Sequence, residues 1–160
     1  MKRLLLVVAV AISSVSFAQS GTQEDVDLIQ SLYGKSKQEL VQEYMALQGA
    51  QAKAFEKVYN AYELERKALG RQRLKLIQDY ANHFDTLKGP KADQIVRATI
   101  KNNIAYENLY LKYFVQSKNA IGALNAAKFI QLENALQTAV KAEIQNAIPF
   151  IGEIDRTKKH

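Results

Sequence analysis

The chain has 160 residues and no cysteine, and its 22 Lys and Arg residues outnumber its 16 Asp and Glu residues, for a net charge of +6 at pH 7. The lack of cysteine excludes disulfide bonds, thiol catalysis and a lipid-bearing N-terminal cysteine. The length suits one ordinary domain that is held together by its core alone.

The first 18 residues have the three parts of a secretory signal peptide. Lys2 and Arg3 precede an almost wholly apolar run over residues 4–12, and a small-x-Ala sequence ends at Ala18. A membrane-spanning helix needs about 20 apolar residues, so this run is too short to be one. We expect cleavage after Ala18, which leaves residues 19–160 as a single helical domain in the periplasm or outside the cell. Export separates the chain from nucleic acid, and the loss of two cations lowers its net charge to +4.

Four amphipathic helices are predicted after the signal, because apolar residues recur at steps of three, four or seven and no segment alternates as a strand does. The first is predicted over residues 23–47, with a Thr22 to Asp25 spacing that suits a capping box and with Gly34 as an interruption. The second is predicted over residues 50–87.

The third helix is predicted to start at Pro90 and to end at Gly122, and the fourth to end before Pro149. The predicted buried stripe of the third helix consists of Val96, Ile100, Ile104, Leu111, Phe114 and Ile121. Long helices joined by short turns fold back on one another, so the predicted fold class is all-α, built of elongated antiparallel hairpins. The same spacing fits packing between chains, so both a monomer and a homodimer remain open.

Tyr106, Tyr110 and Tyr113 form a second stripe on the third helix, at i, i+4 and i+7, turned roughly 90° from the predicted buried face. One interpretation is that these rings border the core with their hydroxyls in water. The other is that they form an amphipathic wall that binds a peptide or protein partner. These three residues are the candidate partner-binding surface.

No group of residues has the spacing of a catalytic or metal-binding site. Asp79 and His83 lie one helical turn apart, but two ligands do not complete a metal site, and we interpret them as a surface pair. No serine stands in a G-x-S-x-G turn. We therefore expect a protein that is not an enzyme and that requires no cofactor or metal.

Charged side chains are predicted to face solvent. Glu63 and Lys67 have the i, i+4 spacing of an exposed ion pair. At 100° per residue, the cations of the second helix spread around most of its circumference: Arg66, Lys67, Arg71, Arg73 and Lys75. Three further carboxylates are expected in solvent: Glu65, Glu133 and Glu143.

Two helix starts resemble those of the Spy/CpxP group of small periplasmic helical proteins, in which Leu-Thr-x-x-Gln recurs. Here Leu47-Gln48-Gly49-Ala50-Gln51 opens the second helix and Ile121-Gly122-Ala123-Leu124-Asn125 opens the fourth, with Gln48 and Gly122 in place of the threonines. Residues 129–134 and 148–151 also resemble the C-terminal segment of bacterial envelope proteins that are often grouped with them.

The resemblance implies an envelope-stress role or an ATP-independent chaperone that binds unfolded polypeptide on a concave helical surface. It carries no catalytic residue to this chain. The alternative is a structural or regulatory adaptor that docks one specific envelope partner.

Overall fold

A computed structural model describes residue 29, residues 34–148 and residue 151. In this part of the chain there are helices and no strands, which confirms the predicted all-α fold. The helices are α1 (Lys37–Met45), α2 (Gly49–His83), α3 (Gly89–Ile121) and α4 (Ala123–Ala147), with a 3₁₀ turn at Phe84–Thr86. The predicted signal peptide lies outside the described residues.

The helix predicted over residues 23–47 is interrupted at Gly34, as the sequence indicated: residue 29 is helical, and α1 begins at Lys37 and ends at Met45. Gly34 has a φ of 68°, in the left-handed region that breaks a helix, and Ser36 then forms a new N-cap. Ser36 Oγ accepts a hydrogen bond from the Glu39 amide, and the Glu39 carboxylate accepts one from the Ser36 amide at 2.8 Å. The capping box predicted at residues 22–25 lies outside the described residues.

The three long helices form two antiparallel hairpins. Lys112 of α3 contacts Glu65 of α2 at 2.6 Å, and Lys91 contacts Asp79 at 2.8 Å, so the residue numbers of the two helices run in opposite directions. At 1.5 Å per residue, α2, α3 and α4 are about 52, 50 and 38 Å long. Because α4 is the shortest of these three helices, one end of the α2–α3 hairpin extends past the end of α4.

The turn from α3 to α4 consists of one residue, Gly122. Its φ of 82° and ψ of 161° are accessible essentially only to glycine, because a Cβ atom would clash with the neighbouring backbone. The Gly122 amide donates to the Lys118 carbonyl and its own carbonyl accepts from the Ala126 amide. The chain thus reverses direction without losing the hydrogen bonds at either helix end.

Aromatic side chains fill the core between the long helices. Phe129 of α4 contacts Phe55 and Tyr62 of α2 at ring-centroid distances of 5.0 and 5.3 Å, and Tyr62 contacts Tyr113 of α3 at 5.3 Å. Edge-to-face pairs of this kind stabilise the packing beyond the area that they bury. The shorter α1 covers this core with Val41 and Met45.

Candidate functional site

The tyrosine stripe that the sequence offered as a binding surface lies inside the bundle. Tyr106, Tyr110 and Tyr113 are 1%, 7% and 1% exposed. The Tyr113 hydroxyl donates to Glu65 at 2.8 Å, and the Arg73 guanidinium lies 4.3 Å from the centroid of the Tyr106 ring. In this conformation the three rings pack against α2 and offer no open face to a partner.

The hydroxyls of Tyr110 and Tyr113 stay neutral, and that of Tyr113 donates a hydrogen bond. Burial, together with the hydrogen bond to Glu65, raises the pKa of Tyr113 to about 12. Burial also raises the pKa of Tyr110, and the Glu133 carboxylate adds to that rise. The pKa of Glu65 is instead lowered, because its carboxylate accepts hydrogen bonds from Lys112 and Tyr113.

The apolar face of α3 that was predicted to be buried is mostly exposed, and that prediction is wrong. Of the predicted stripe, only Ile121 is fully buried, and Phe114 is half-buried. Five aliphatic side chains of α3 are 49–65% exposed, and we call them the α3 stripe: Val96, Ile100, Ile104, Leu111 and Val115.

The polar face of α3 is buried because α2 and α4 bring charged and amide groups to the same interface. Asn102, Tyr113 and Ser117 face inward, and Asn102 Nδ2 donates to the Leu69 carbonyl at 3.1 Å. Aliphatic side chains offer such groups no hydrogen bond, and an unsatisfied polar group in the core is costly. At 100° per residue the buried face is centred about 130° from the α3 stripe.

The α3 stripe is straight. Its five residues are four, four, seven and four positions apart in the sequence. This spacing keeps them within an arc of about 100° around the helix axis, and they extend along about 28 Å of the helix. Charged residues of both signs lie on the same face: Asp93, Glu107 and Lys118. The stripe is therefore an apolar line with mixed charge at its ends and middle.

A second feature that the sequence did not predict is a buried charge cluster, formed by Lys37, Glu63, Arg66 and Glu133. Lys37 Nζ contacts Glu63 and lies 2.8 Å from Glu133 Oε2. Arg66 Nε lies 2.8 Å from Glu63 Oε1, and the Tyr62 hydroxyl donates to Glu133 Oε2 at 2.7 Å. Two cations face two carboxylates, so the cluster is neutral.

The cluster overturns the prediction that Glu63, Arg66 and Glu133 face solvent, since their side chains are 14%, 1% and 0% exposed. Burial raises the pKa of Glu63, but the neighbouring Lys37 and Arg66 outweigh it and hold that pKa below the usual value. Glu63 therefore stays ionised within the bundle. Its partners are Lys37 and Arg66, and not Lys67 as the spacing suggested.

The sequence did contain a signal for the buried cations of α2. Arg66 and Arg73 continue the four- and three-residue steps of Phe55, Tyr59 and Tyr62, which are all buried. Charge at a core position of an otherwise regular register indicates a buried polar contact. Arg71 and Lys75, which leave that register, are exposed as predicted, and so is Glu143.

Asp79 and His83 lie at the far end of α2. His83 Nδ1 lies 3.2 Å from Asp79 Oδ1, and Lys91 of α3 lies 2.8 Å from Asp79 Oδ2. Among the residues that the structure describes, no group of three His, Cys, Asp or Glu side chains is placed to hold a metal ion. The ion pair between Asp79 and Lys91 connects the end of α2 to the start of α3.

Comparison of the chain with protein-family models, with curated proteins and with solved structures finds no match. The resemblance to the Spy/CpxP group therefore stays a prediction. In the described part of the chain, no helix combines the length and the hydropathy that a membrane span requires.

Proposed function

We propose that the chain is an exported, non-catalytic binding protein of chaperone type, which holds apolar segments of other polypeptides against the α3 stripe. The observation that carries this proposal is the exposure of its five aliphatic side chains, 49–65% each, along one side of a long helix. Several exposed aliphatic side chains along one helix face are characteristic of sites where proteins bind partners.

The shape and charge of the α3 stripe favour polypeptide as the ligand. A straight apolar line about 28 Å long matches the apolar face of an amphipathic helix or an extended apolar segment. Asp93 and Lys118 near its ends and Glu107 in its middle can pair with charges of either sign. Such a mixed surface does not suit a polyanion such as nucleic acid, which requires clustered cations.

A second candidate for the stripe is another copy of this chain, in the homodimer that the apolar spacing left open, and the symmetry of the stripe favours it. Val96 and Val115 are equally distant from the midpoint between residues 105 and 106, and so are Ile100 and Leu111. Asp93 and Lys118 share that midpoint. An antiparallel copy of the same helix would therefore face Val96 with Val115, Ile100 with Leu111 and Asp93 with Lys118, as a two-fold homodimer requires, but it would place Ile104 opposite Glu107 beside the axis.

Light scattering from an aggregating, chemically denatured client tests the chaperone proposal, with residues 19–160 at stoichiometric amounts and without nucleotide. We expect suppression for several unrelated clients, and its loss when Ile104 and Leu111 are both replaced by Glu. Leu64→Glu is the matched control, because Leu64 is 72% exposed but lies on α2. The absence of suppression by the unmodified chain for every client would reject the chaperone role.

Sedimentation of the same proteins tests the alternative of a second copy. A homodimer that becomes monomeric in the Ile104→Glu/Leu111→Glu variant, and not in Leu64→Glu, would assign the stripe to self-association. A monomer at all concentrations would leave the stripe free for other polypeptides.

Export has its own test: the chain recovered from outside the cytoplasm should begin at Gln19, and a full-length cytoplasmic product would contradict it.

A further inference from the structure

An apolar groove lies at the end of the bundle where α2 and α3 extend past α4. Its volume is about 540 Å³, which falls within the range of sites that hold small organic ligands. Aliphatic side chains from all three helices line it, including Leu76, Ile77, Ile95, Ile144 and Ile148. The groove is separate from the buried charge cluster and from the centre of the α3 stripe.

Arg73 lies in the wall of this groove and is only 8% exposed. Its Nη1 donates to Gln137 Oε1 at 3.1 Å and its guanidinium covers the Tyr106 ring, but its Nη2 has no hydrogen-bond partner. None of the ion pairs in the described part of the chain includes Arg73. This contrasts with Arg66, seven residues earlier, which is paired with Glu63.

The charge of the groove has one sign. Lys141 is the other charged residue of its lining, and no Asp or Glu is among the described residues that line it. A buried guanidinium without a counter-ion is costly, and a carboxylate is the group that matches its two parallel N–H donors. The lining also includes the polar side chains of Thr99, Asn102, Asn103 and Gln145, and its other uncharged members are aliphatic or aromatic and suit a hydrocarbon chain.

We propose that this groove binds a single-chain amphipathic carboxylate of the fatty-acid class. Nη2 of Arg73 is enclosed in this conformation, so the guanidinium turns toward the groove to donate a hydrogen bond to the carboxylate. Lys141 is a second cation, and the alkyl chain lies against Leu76, Ile77 and Ile144. The groove shares Val96 with one end of the α3 stripe, but the residues that carry the proposal, Arg73 and Lys141, lie on other helices, so the proposal does not depend on polypeptide binding at the stripe.

Isothermal titration of the soluble chain, residues 19–160, with sodium dodecanoate below its micellar concentration tests the proposal. We expect saturable binding of one dodecanoate per chain, no measurable binding of butanoate, and binding of dodecanol weaker by about tenfold or more, since the charged hydrogen bond is lost. Equal binding of dodecanol and dodecanoate, or uptake of many molecules without saturation, would overturn the proposal.

Arg73→Met and Arg97→Met form a matched pair of variants. Arg97 is 73% exposed, pairs with Asp93 and lies outside the groove lining, so its replacement should leave dodecanoate affinity unchanged. Arg73→Met should lower that affinity by about tenfold or more. Arg73→Met also removes the hydrogen bond to the buried Gln137, so its melting temperature without ligand is measured first to confirm that the variant folds. Dodecanoate should then raise the melting temperature of the unmodified chain but not that of Arg73→Met.

Two further variants separate this site from other surfaces. Leu111→Glu changes the α3 stripe and should bind dodecanoate as the unmodified chain does. Phe150→Ser/Ile154→Ser changes apolar residues that follow α4 in the sequence. If only this double variant bound dodecanoate, the groove would belong to the C-terminal segment of the chain, and the proposal would be wrong. Unchanged binding by Arg73→Met would also reject it.

Discussion

Lys37 Nζ lies 2.8 Å from Glu133 Oε2, and the two side chains are 4% and 0% exposed. The contact joins the first residue of α1 to the middle of α4, across 96 residues of sequence. Since Lys37 also contacts Glu63 of α2, one ammonium group fixes the short helix to both long helices. The contact therefore helps to hold α1 on the bundle, together with the buried side chains of Val41 and Met45.

Lys37→Met should destabilise the protein by about 3 kcal/mol, because it leaves the buried Glu133 carboxylate without its cation. Urea unfolding followed by circular dichroism measures this change. In the Lys37→Met/Glu133→Gln double variant, the loss should be smaller than the sum of the two single losses, since the unpaired charge is removed as well.

Lys35→Met is the control for that prediction. Lys35 pairs with Glu43 two residues before the cluster, but both side chains are about half exposed or more, and an ion pair of this kind contributes at most about 1 kcal/mol. If Lys35→Met and Lys37→Met lowered the free energy of unfolding equally, burial of the cluster would not determine how much it stabilises the protein.

Acid should weaken the fold through Glu63, whose pKa is lowered in the folded state. A carboxyl group with a lowered folded pKa stabilises the protein above its unfolded pKa of about 4.3, and this contribution is lost as the pH falls through the folded pKa. The urea midpoint should therefore decrease from about pH 6 to pH 3. Glu63→Gln should flatten this decrease, while Glu143→Gln, at an exposed position, should not.

Tyr106→Ala should destabilise the protein by about 3–5 kcal/mol, because it removes a ring that is only 1% exposed. Leu111→Ala, on the opposite side of α3 and 65% exposed, should change the unfolding free energy by about 0.5 kcal/mol or less. Replacement of Tyr106, Tyr110 and Tyr113 together by Ser should abolish cooperative thermal unfolding. A stable triple variant would place those rings outside the core.

Gly122→Ala should cost about 1–3 kcal/mol, since alanine is strained at the φ of 82° that the turn between α3 and α4 requires. Beyond the two adjacent residues, no atom lies within 4 Å of the added Cβ, so the cost comes from the local backbone alone. Gly89→Ala is the matched control, because its Cβ also meets open space and its φ is not positive. Thermal unfolding of the two variants should differ by several degrees.

The helical class and the long helices follow from local features of the sequence. Apolar periodicity, Pro90 at the start of α3 and Gly122 at its end are properties of short segments, and they predicted α2, α3 and α4 to within a few residues. The interruption before α1 was also a local feature, because Gly34 can adopt the positive φ that ends a helix. The N-cap at Ser36, where α1 starts, was not predicted.

The face of α3 that enters the core was decided by the tertiary structure. Its sequence offers two faces, one aliphatic and one with tyrosine, asparagine and serine, and hydrophobicity alone favours the aliphatic one. The packing of α2 and α4 decides otherwise, because Arg66, Arg73 and Glu133 need polar partners once they are buried.

The sequence by itself thus determined that the chain forms long helices that fold back at Gly122, because helix formation and turn geometry depend on neighbouring residues. It did not determine which side chains those helices bury. Lys37 and Glu133 are 96 residues apart, and a contact over that distance exists only once the helices are packed. The exposed α3 stripe and the unpaired Arg73 are consequences of that packing, and both proposed binding sites depend on it.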